Sequence, residues 1–243
     1  MYSQNKSLTK GLQILKEIMI SKKPLTANVL CQKLDIDKST MSRLIKTLIT
    51  AEFIEYKENS KDIILSDLTR KIVKKDDREK LIEKTKTLLD EIFYFTQEAS
   101  YFGILDDNSF LNLNQVDNST RVIKNRDSIG TRAPLHSNAF GKILLAFSSD
   151  IHIENLELKK FTNNTITSQG KLLREISLIK ERGYAIGNEE HEFGLKSVAV
   201  PYFNKKNQFV GALGISGLSI RLDETTLHLY GQKIFQIVNS SNL

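Results

Sequence analysis

An apolar stripe between residues 41 and 49, followed at once by two short alternating runs, constrains the fold of this chain most. The members of the stripe recur at intervals of three and four residues: Met41, Leu44, Ile45, Leu48 and Ile49. This spacing predicts a helix with one apolar face, capped by Ser39 or Asp37 and ending near Ala51. Residues 53–56 alternate, residues 59–61 can turn the chain, and residues 62–65 can return as a second strand,.

Two further helices are predicted before this one. Ser7 can cap a helix that starts near Leu8. Its apolar positions again form one stripe: Leu8, Leu12, Leu15, Ile18 and Met19. Residues 21–24 break this helix, Thr26 is the next candidate cap, a short second helix follows, and residues 35–38 form a turn,. Three helices followed by a hairpin are the pattern of a winged helix-turn-helix.

The charge of the chain is concentrated in this region. The whole chain has 35 basic and 29 acidic residues, whereas residues 1–75 contain 15 basic and 8 acidic residues and residues 76–243 contain 20 and 21. No acidic residue occurs from Lys38 through Ala51. The exposed face of the third helix offers only hydroxyl groups and cations, which match phosphate oxygens and the acceptors of a major groove. The excess of basic residues in residues 1–75, beside a nearly neutral remainder of the chain, therefore predicts a module that binds double-stranded DNA.

Within this module, Arg43 is the best candidate for reading guanine. Ser39 and Thr40 would meet phosphates or base edges, and Lys38 and Lys46 would hold phosphates. The predicted DNA-binding set is Thr26, Lys38, Ser39, Thr40, Ser42, Arg43, Lys46, Lys57 and Lys61, the last two on the hairpin. Two copies would read half-sites about one helical turn apart, roughly 34 Å. An ordinary exposed amphipathic helix in a small helical domain is the alternative interpretation.

The remaining two thirds of the chain predict an α+β domain. A charged stretch over residues 76–96 reads as a helix that links the winged helix-turn-helix domain, residues 1–75, to a domain over residues 97–243. Its cationic and anionic side chains alternate as on a solvated face, and an interdomain or dimer contact along its apolar stripe is the alternative. Strand patterns cover residues 100–105, 110–116, 197–202 and 209–216, and helical patterns cover residues 138–147, 169–181 and 224–238,. Residues 106–108 form a tight turn between the first two strands.

No catalytic pattern stands out in this second part, and we expect no enzyme, no cofactor and no metal. Gly141-Lys142 lacks the glycine and hydroxyl residues of a phosphate-binding loop,. Residues 189–192 contain three glutamates and a histidine, but four adjacent residues do not converge on one ion unless the loop folds around it. His136 beside Ser137 is read as a capping or packing histidine, because catalysis needs spatial geometry rather than adjacency. Gly211, Gly214 and Gly217 predict close backbone approach, with a ligand as one candidate neighbour.

Other classes are excluded by composition and patterning. No apolar run approaches the roughly 18–20 residues that span a bilayer. Residues 1–10 lack the apolar core of a signal peptide,. Cys31 is the single cysteine, so an intrachain disulfide framework is excluded,. We therefore expect a cytoplasmic protein without a membrane partner, associated with the nucleoid when it is bound to DNA.

Several segments resemble the IclR (isocitrate lyase regulator) family, in the order that the family shows. In the first part they are Ser7 through Leu15, Leu25-Thr26, and Lys38 through Leu44 with Leu48. In the second part they are Gly130 through His136, Gly141-Lys142, Leu145-Ala146, Arg182 through Ala185 with Glu190 and Gly194, Val198 through Pro201, and Gly214 through Gly217. The resemblance covers nearly the whole chain. It implies a bacterial transcription regulator with a winged helix-turn-helix, a GAF-like effector domain, and assembly into a homodimer or homotetramer.

The resemblance also implies an effector site between the sheet and the helix that carries Gly141-Lys142. In similar proteins the first backbone amides of that helix bind an anion. The matching positions, with the family's polar contacts, are Ala139, Phe140, Gly141, Gly187 or Asn188, Ser197, Gly214 and Ser216. Compared with family members that sense small oxo-acids, this chain has Gly187-Asn188 in place of an acidic residue and Ser197 in place of a common cysteine. It also has Gly214 where some members have a serine, and Phe140 where a small residue is usual. These departures argue against a glyoxylate- or pyruvate-like effector and favour a more apolar ligand, with core packing as the alternative role of each residue.

The predicted function is thus a transcriptional regulator whose operator affinity is controlled by a small-molecule effector in the C-terminal domain. Such control requires the effector to bind two arrangements of the protein with different affinities. The alternative is a metabolite sensor or enzyme whose winged helix contacts protein rather than DNA.

Overall fold

The computed structural model describes residues 5–21, 23–149 and 151–240. The chain divides into two compact units, Met1–Glu79 and Lys80–Leu243. Part of the predicted helix break at residues 21–24 and the first residues of the signal-peptide prediction lie outside the described residues.

The first unit is a winged helix-turn-helix, as predicted. Its elements are α1 (Lys6–Ile20), β1 (Leu25–Thr26), α2 (Ala27–Leu34), α3 (Lys38–Thr50), β2 (Ile54–Tyr56) and β3 (Asp62–Leu65). The strands form an antiparallel sheet in the order β1-β3-β2. Strand β1 was not predicted, because two residues are too few to show a period-two pattern; pairing with β3 alone makes this segment a strand.

Side-chain caps set the helix boundaries of this unit. The prediction that Ser7 caps α1 is wrong, because Asn5 does so: its Oδ1 accepts a hydrogen bond from the Leu8 amide at 3.1 Å. Thr26 caps α2 as predicted, and Asp37 rather than Ser39 caps α3. Asp35 ends α2 in the left-handed conformation with φ of 52°, a backbone region that Asp tolerates better than most residues.

The core of the first unit confirms the stripe on α3. Met41 and Ile45 are fully buried and pack with residues from the other elements of the unit, including Ile14, Leu30 and Ile63. Leu44, Leu48 and Ile49 are partly buried against the same cluster. The opposite face of α3 is therefore the one that faces solvent.

The long helix begins nine residues earlier than predicted. Helix α4 covers Asp67–Thr96, whereas the prediction placed its start at residue 76. Ser66 is buried at its start, where its Oγ accepts a hydrogen bond from the Thr69 amide at 3.1 Å and donates to the Glu52 carbonyl. Ser66 is the kind of capping residue that marks a helix start, and Leu68 and Ile72 follow it one turn apart. The division between the two units falls within α4.

The second unit has one six-stranded antiparallel sheet. Its strands are β4 (Ala99–Asp106), β5 (Ser109–Val116), β6 (Arg132–Pro134), β7 (Ala185–Asn188), β8 (Leu195–Phe203) and β9 (Phe209–Leu218). Their order in the sheet is β6-β5-β4-β9-β8-β7. The four strands in the middle of this order were predicted from their apolar patterns. The short edge strands β6 and β7 were not predicted.

Helices cover both faces of this sheet. Helices α5 (Ala139–Phe147) and α6 (Gln169–Arg182) pack on one face with the apolar cluster that includes Tyr101, Phe110 and Ala199. The second half of α4 and helix α7 (Glu224–Ser240) pack on the other face with Phe102, Leu213 and Ile215. Alternate residues of one strand thus enter different cores, as a strand buried on both faces requires. A 3-10 turn, Ile153–Asn155, lies between α5 and α6.

Candidate functional site

The exposed face of α3 presents most of the predicted nucleic-acid contacts together. Its exposed members are Lys38, Ser39, Ser42, Arg43 and Lys46, and Thr40 is half-buried. The face is held outward because Met41 and Ile45 fill the core behind it. Neither Arg43 nor Lys46 forms an ion pair with a described residue, so both cations remain available to a polyanion.

Hydrogen bonds at the start of α3 fix which groups are available. The Asp37 carboxylate accepts hydrogen bonds from the Thr40 amide at 2.9 Å and from the Ser39 hydroxyl at 2.7 Å. These hydrogen bonds, of which the one from the Thr40 amide has the largest effect, hold the pKa of Asp37 well below its usual range. Thr47 donates to the Arg43 carbonyl at 3.0 Å. Ser39 and Thr47 therefore use their protons within residues 37–50, whereas the side chains of Lys38, Ser42, Arg43 and Lys46 have no partner among the described residues.

The other predicted contacts of the first unit lie on the hairpin and at the start of α2. Lys57 and Lys61 are exposed on either side of the hairpin turn, where Asn59 adopts φ of 54°. The Thr26 hydroxyl accepts a hydrogen bond from the Val29 amide at 3.5 Å, so its acceptor already caps α2.

The second unit contains a cavity of about 640 Å³ beside α5 and the sheet. Phe140 of α5, Tyr101 of β4 and Phe110 of β5 line it with neighbouring aromatic rings, and Phe193 also lines it. The ring centroids of Phe140 lie 5.8 Å from Tyr101 and 5.1 Å from Phe110. Burial raises the pKa of Tyr101 to about 12, although its hydroxyl accepts a hydrogen bond from Asn125 at 3.0 Å.

Residues 117–131, which connect β5 to β6, form a second wall of this cavity. Five residues of this segment line it: Lys124, Asn125, Arg126, Ser128 and Thr131. Side chains hold the segment to the sheet: Arg121 binds Glu98 at 2.7 Å, and Asn125 also donates to the Ser216 carbonyl at 3.0 Å. The Ser128 amide donates to the Gln115 side chain at 2.9 Å.

A third wall comes from residues 191–195. His191 is packed against the Phe161 ring with centroids 4.7 Å apart, and its Nδ1 lies 3.2 Å from the Ser137 hydroxyl. Burial lowers the pKa of His191, so the neutral imidazole is favoured. Ser137 itself is buried and does not line the cavity, so this pair does not present a nucleophile to a ligand.

The structure separates the predicted effector residues into two groups. Phe140, Ser197 and Ser216 line the cavity, and Ala139, Gly141, Asn188 and Gly214 do not. Ala139 and Gly141 are buried, and their amides donate to the Ser197 hydroxyl at 3.3 Å and to Asn138 Oδ1 at 2.8 Å. Asn188 is exposed at the end of the edge strand β7. Side chains of Ser197 and Asn138 thus bind two of the three amides at the start of α5, and the anion-binding role of this helix start stays a prediction.

The glycines of β9 approach protein atoms rather than a ligand. A Cβ atom on Gly214 would lie 2.1 Å from the Val198 carbonyl oxygen of β8. A Cβ on Gly211 would lie 2.4 Å from the Gly103 carbonyl oxygen, and one on Gly217 would lie 2.4 Å from Glu98 Oε2. The predicted close approach is thus present, and its cause is packing within the second unit.

A buried ionic network that joins α5, α6 and the segment after β7 was not predicted. Lys142 of α5 is 1% exposed, and its Nζ lies 2.7 Å from Glu190 Oε1, 2.5 Å from the Ile186 carbonyl and 3.5 Å from Glu175 Oε1. Arg182 binds the same Glu175 oxygen at 2.9 Å. A lone lysine within an otherwise apolar helix was the available signal, since lysine is almost never fully buried without a partner.

Residues 136–137 and 189–192 could have suggested catalysis or metal binding, and in the structure they contact other groups of the protein. His136 Nε2 is bonded to the Lys159 carbonyl at 2.9 Å, which is the predicted packing role. Glu190 turns inward to Lys142, away from a shared site with its neighbours. Among the residues that the structure describes, no group of three or more His, Cys, Asp or Glu could hold a metal ion. In the same part of the chain, no helix combines the length and apolarity needed to cross a bilayer.

The comparison with known families supports one assignment. A model described as MarR family matches residues 12–62. The model described as bacterial transcriptional regulator IclR C-terminal matches residues 74–240, which is more than half of the chain. The chain belongs to the IclR family. It is therefore a DNA-binding transcriptional regulator with an N-terminal winged helix-turn-helix and a C-terminal effector domain, as the sequence predicted.

Individual IclR-family proteins agree with this assignment. KdgR of Escherichia coli K12, an HTH-type transcriptional regulator, is 32% identical over 209 residues, which are 83% of this chain and 78% of KdgR. The crystal structure of Thermotoga maritima IclR matches 98% of both chains with a TM-score of 0.61 and 24% identity. An IclR-family structure from Rhodococcus covers 100% of this chain and 95% of its own, with a TM-score of 0.75 and 19% identity. The two structures show that the fold is shared.

Proposed function

We propose that this IclR-family regulator reads its operator through α3 and changes its operator affinity when a small organic effector occupies the cavity of the second unit. The proposal includes a cytoplasmic homodimer or homotetramer without catalytic activity. The observation that carries it is the exposed, acid-free face of α3, on which Arg43 and Lys46 form no ion pair with a described residue.

In this proposal, Arg43 enters the major groove and donates to a guanine, because its exposed guanidinium projects from the middle of α3,. Lys38 and Lys46 neutralise phosphates on either side, and Lys57 and Lys61 reach the backbone beside the groove. Ser39, Ser42 and Thr40 contact phosphate or base edges from the first turns of α3. The Thr26 hydroxyl stays engaged as a cap.

The cavity is the proposed effector site. Its volume lies within the range of about 300–1,000 Å³ that is usual for small-molecule pockets,. Phe140, Ser197 and Ser216 line it, whereas Ala139, Gly141, Asn188 and Gly214 do not. An effector can change operator affinity only if it binds the two arrangements of the protein differently.

A gel-shift titration on genomic fragments of the host tests the DNA-binding part. We expect Arg43→Ala to weaken operator binding by about 1–3 kcal/mol and to relax selectivity at one base pair. Lys16→Ala removes another exposed cation, from α1, and is the matched control. Operator affinity should also fall steeply with salt, because bound phosphates release counterions.

The outcome that contradicts this proposal is equally specific. If Arg43→Ala and Lys16→Ala bind the operator as the wild type does, α3 is not the reading element. If no duplex binds at any salt concentration, the alternative of a winged helix that contacts protein gains support. Native mass spectrometry of protein from its host identifies a retained effector, whose effect on the gel shift then tests the second part.

A further inference from the structure

We infer that Glu98 couples the wall of the cavity to the long helix α4, an inference that rests on the proposed roles of the cavity and of α3. Glu98 follows the end of α4 and binds the loop of residues 117–131, which forms one wall of the cavity. Glu98 itself does not line the cavity. It is therefore a positioning residue, through which a change in the loop reaches α4 and a change in α4 reaches the loop.

The Glu98 carboxylate is buried and is shared by two arginines. Its side chain is 5% exposed. Arg221, in the turn after β9, binds both oxygens, with Nε 2.6 Å from Oε1 and Nη2 2.7 Å from Oε2. Arg121, in the 117–131 loop, donates to Oε1 at 2.7 Å. Charge-assisted and bidentate hydrogen bonds are the strong ones in proteins, so this carboxylate holds two segments that are distant in sequence.

The sheet leaves room for this carboxylate at one position. A Cβ atom on Gly217 of β9 would lie 2.4 Å from Glu98 Oε2. Any other residue at position 217 would push the carboxylate out of its place between the arginines. The neighbouring residue Ser216 pairs with Ala99, the first residue of β4. The start of β4 and the end of β9 thus fix the location of Glu98.

Arg121 is the attachment of the first half of the loop. Within residues 118–124, which the structure describes in full, the Arg121 guanidinium alone forms a hydrogen bond to a group outside the loop. Val122 is 99% exposed and Ile123 is 67% exposed, so packing adds little to this attachment. From Asn125 onwards the loop has hydrogen bonds of its own to the strands. The position of residues 118–124 therefore depends on the carboxylate that Arg121 binds.

The same residue is tied to the end of α4. The Glu98 amide donates to Thr96 Oγ1 at 3.3 Å, and Thr96 is the last residue of α4. Thr96 is buried, its hydroxyl donates to the Ile92 carbonyl at 2.8 Å, and its carbonyl accepts the Tyr230 hydroxyl of α7 at 3.4 Å. A shift of the last turn of α4 therefore moves Glu98, and with it the attachment of residues 118–124.

The start of α4 is bound to residues that follow α3 closely. The Thr69 hydroxyl donates to the Phe53 carbonyl at 2.9 Å, and the Ser66 hydroxyl donates to the Glu52 carbonyl. Helix α4 then runs without a break from Asp67 to Thr96. A displacement of α3 on DNA therefore has a covalent and hydrogen-bonded path to Glu98. Coupling of this kind is reciprocal, so operator binding must alter the loop if the loop alters operator binding.

Hydrogen exchange of the full chain, measured by mass spectrometry with and without the operator duplex found by gel shift, tests this coupling. In the wild type we expect the operator to change the exchange rates of residues 118–124 by about fivefold or more. In Glu98→Gln, which keeps the shape of the side chain and removes its charge, the operator should leave these rates unchanged. Protection of α3 by the operator should persist in both proteins.

Three further variants separate coupling from loss of stability. Arg121→Gln removes only the attachment of the loop and should also abolish its response, so the test does not depend on the folding of Glu98→Gln. Arg121→Lys keeps the cation and should retain part of the response. Asp106→Asn is the matched control, because Asp106 is a second buried carboxylate bound to an arginine, at the other end of β4. Its response should equal that of the wild type.

Three results would overturn the role of Glu98. The first is a response of residues 118–124 in Glu98→Gln and Arg121→Gln that equals the wild-type response. The second is the absence of any response in the wild type although the operator protects α3. The third is an equal loss of response in Asp106→Asn, which would assign the effect to general loosening of the second unit. If no duplex protects α3, the proposed function itself fails, and this outcome is distinct from the other three.

Discussion

Replacing Lys142 by methionine removes the cation of a buried ion pair while keeping a side chain of similar length. The Lys142 side chain is 1% exposed and that of Glu190 is 8% exposed, and their charged atoms lie 2.7 Å apart. After the substitution Glu190 keeps its negative charge in the interior without this partner. Its second oxygen, Oε2, already lacks a hydrogen-bond partner among the described residues.

The expected cost follows from this geometry. Removing one partner of a buried ion pair destabilises proteins by about 3–5 kcal/mol, because an uncompensated charge stays buried. The Ile186 carbonyl, 2.5 Å from Nζ, also loses its donor. For a unit that runs from Lys80 to Leu243, 1 kcal/mol shifts the thermal midpoint by about 2–4 °C. Lys142→Met should therefore lower the midpoint by roughly 6–20 °C.

Near-ultraviolet circular dichroism during thermal and urea unfolding measures this effect in the right unit. The chain has no tryptophan, and five of its seven tyrosines follow Lys80, so the signal reports mainly the second unit. Adding Glu190→Gln to Lys142→Met removes the orphaned charge and should restore more than half of the loss. Lys171→Met, at an exposed position of α6, is the control and should stay within about 0.5 kcal/mol of the wild type,.

Two outcomes would refute the reasoning. If Lys142→Met unfolds within about 1 kcal/mol of the wild type, water reaches Glu190 and the pair is not buried in solution. If the double variant is less stable than Lys142→Met alone, the carboxylate of Glu190 is stabilised by some group other than Lys142.

Two further predictions concern packing and pH. Gly214→Ala places a methyl group 2.1 Å from the Val198 carbonyl oxygen and should lower the free energy of urea unfolding by about 1–3 kcal/mol,. The control Gly170→Ala lies in the first turn of α6, where only the Ser168 hydroxyl is near, at 3.9 Å, and it should be neutral or stabilising,. Equal losses of stability in the two variants would show that close approach is not the cause. Burial lowers the pKa of His191, so the unfolded chain binds the proton more readily, and the stability of the wild type should fall as pH decreases below about 6.5,. His191→Gln should lose less stability over the same range, and parallel curves for the two proteins would contradict the assigned burial.

Much of the first unit could be predicted because its signals are local. The stripe from Met41 to Ile49 recurs within two turns of one helix, and caps such as Thr26 and Asp37 act within three residues of their own position. The wrong cap at Ser7 and the late start of α4 show the limit of such signals. Two polar residues within one turn, Asn5 and Ser7, are both acceptable caps, and only the backbone conformation decides between them.

The effector site could be predicted less well because it is built from distant segments. The resemblance brought Phe140, Ser197 and Ser216 to one place, and all three line the cavity. It could not show that Ser197, 58 residues from Ala139, already accepts the Ala139 amide. It also did not indicate Lys124 and Arg126, since a segment without regular periodicity carries no signal for the wall that it forms.

The sequence by itself determined the three helices and the wing, the segregation of positive charge into the first third, and the acid-free face around Arg43. These properties depend on residue type and on spacing of three or four residues, which a helix converts directly into one face. The tertiary structure alone decided that Lys142 pairs with Glu190, 48 residues away, and that the Ala139 amide donates to the Ser197 hydroxyl, 58 residues away. Such pairings depend on which strands and loops meet, and short-range periodicity contains no information about that.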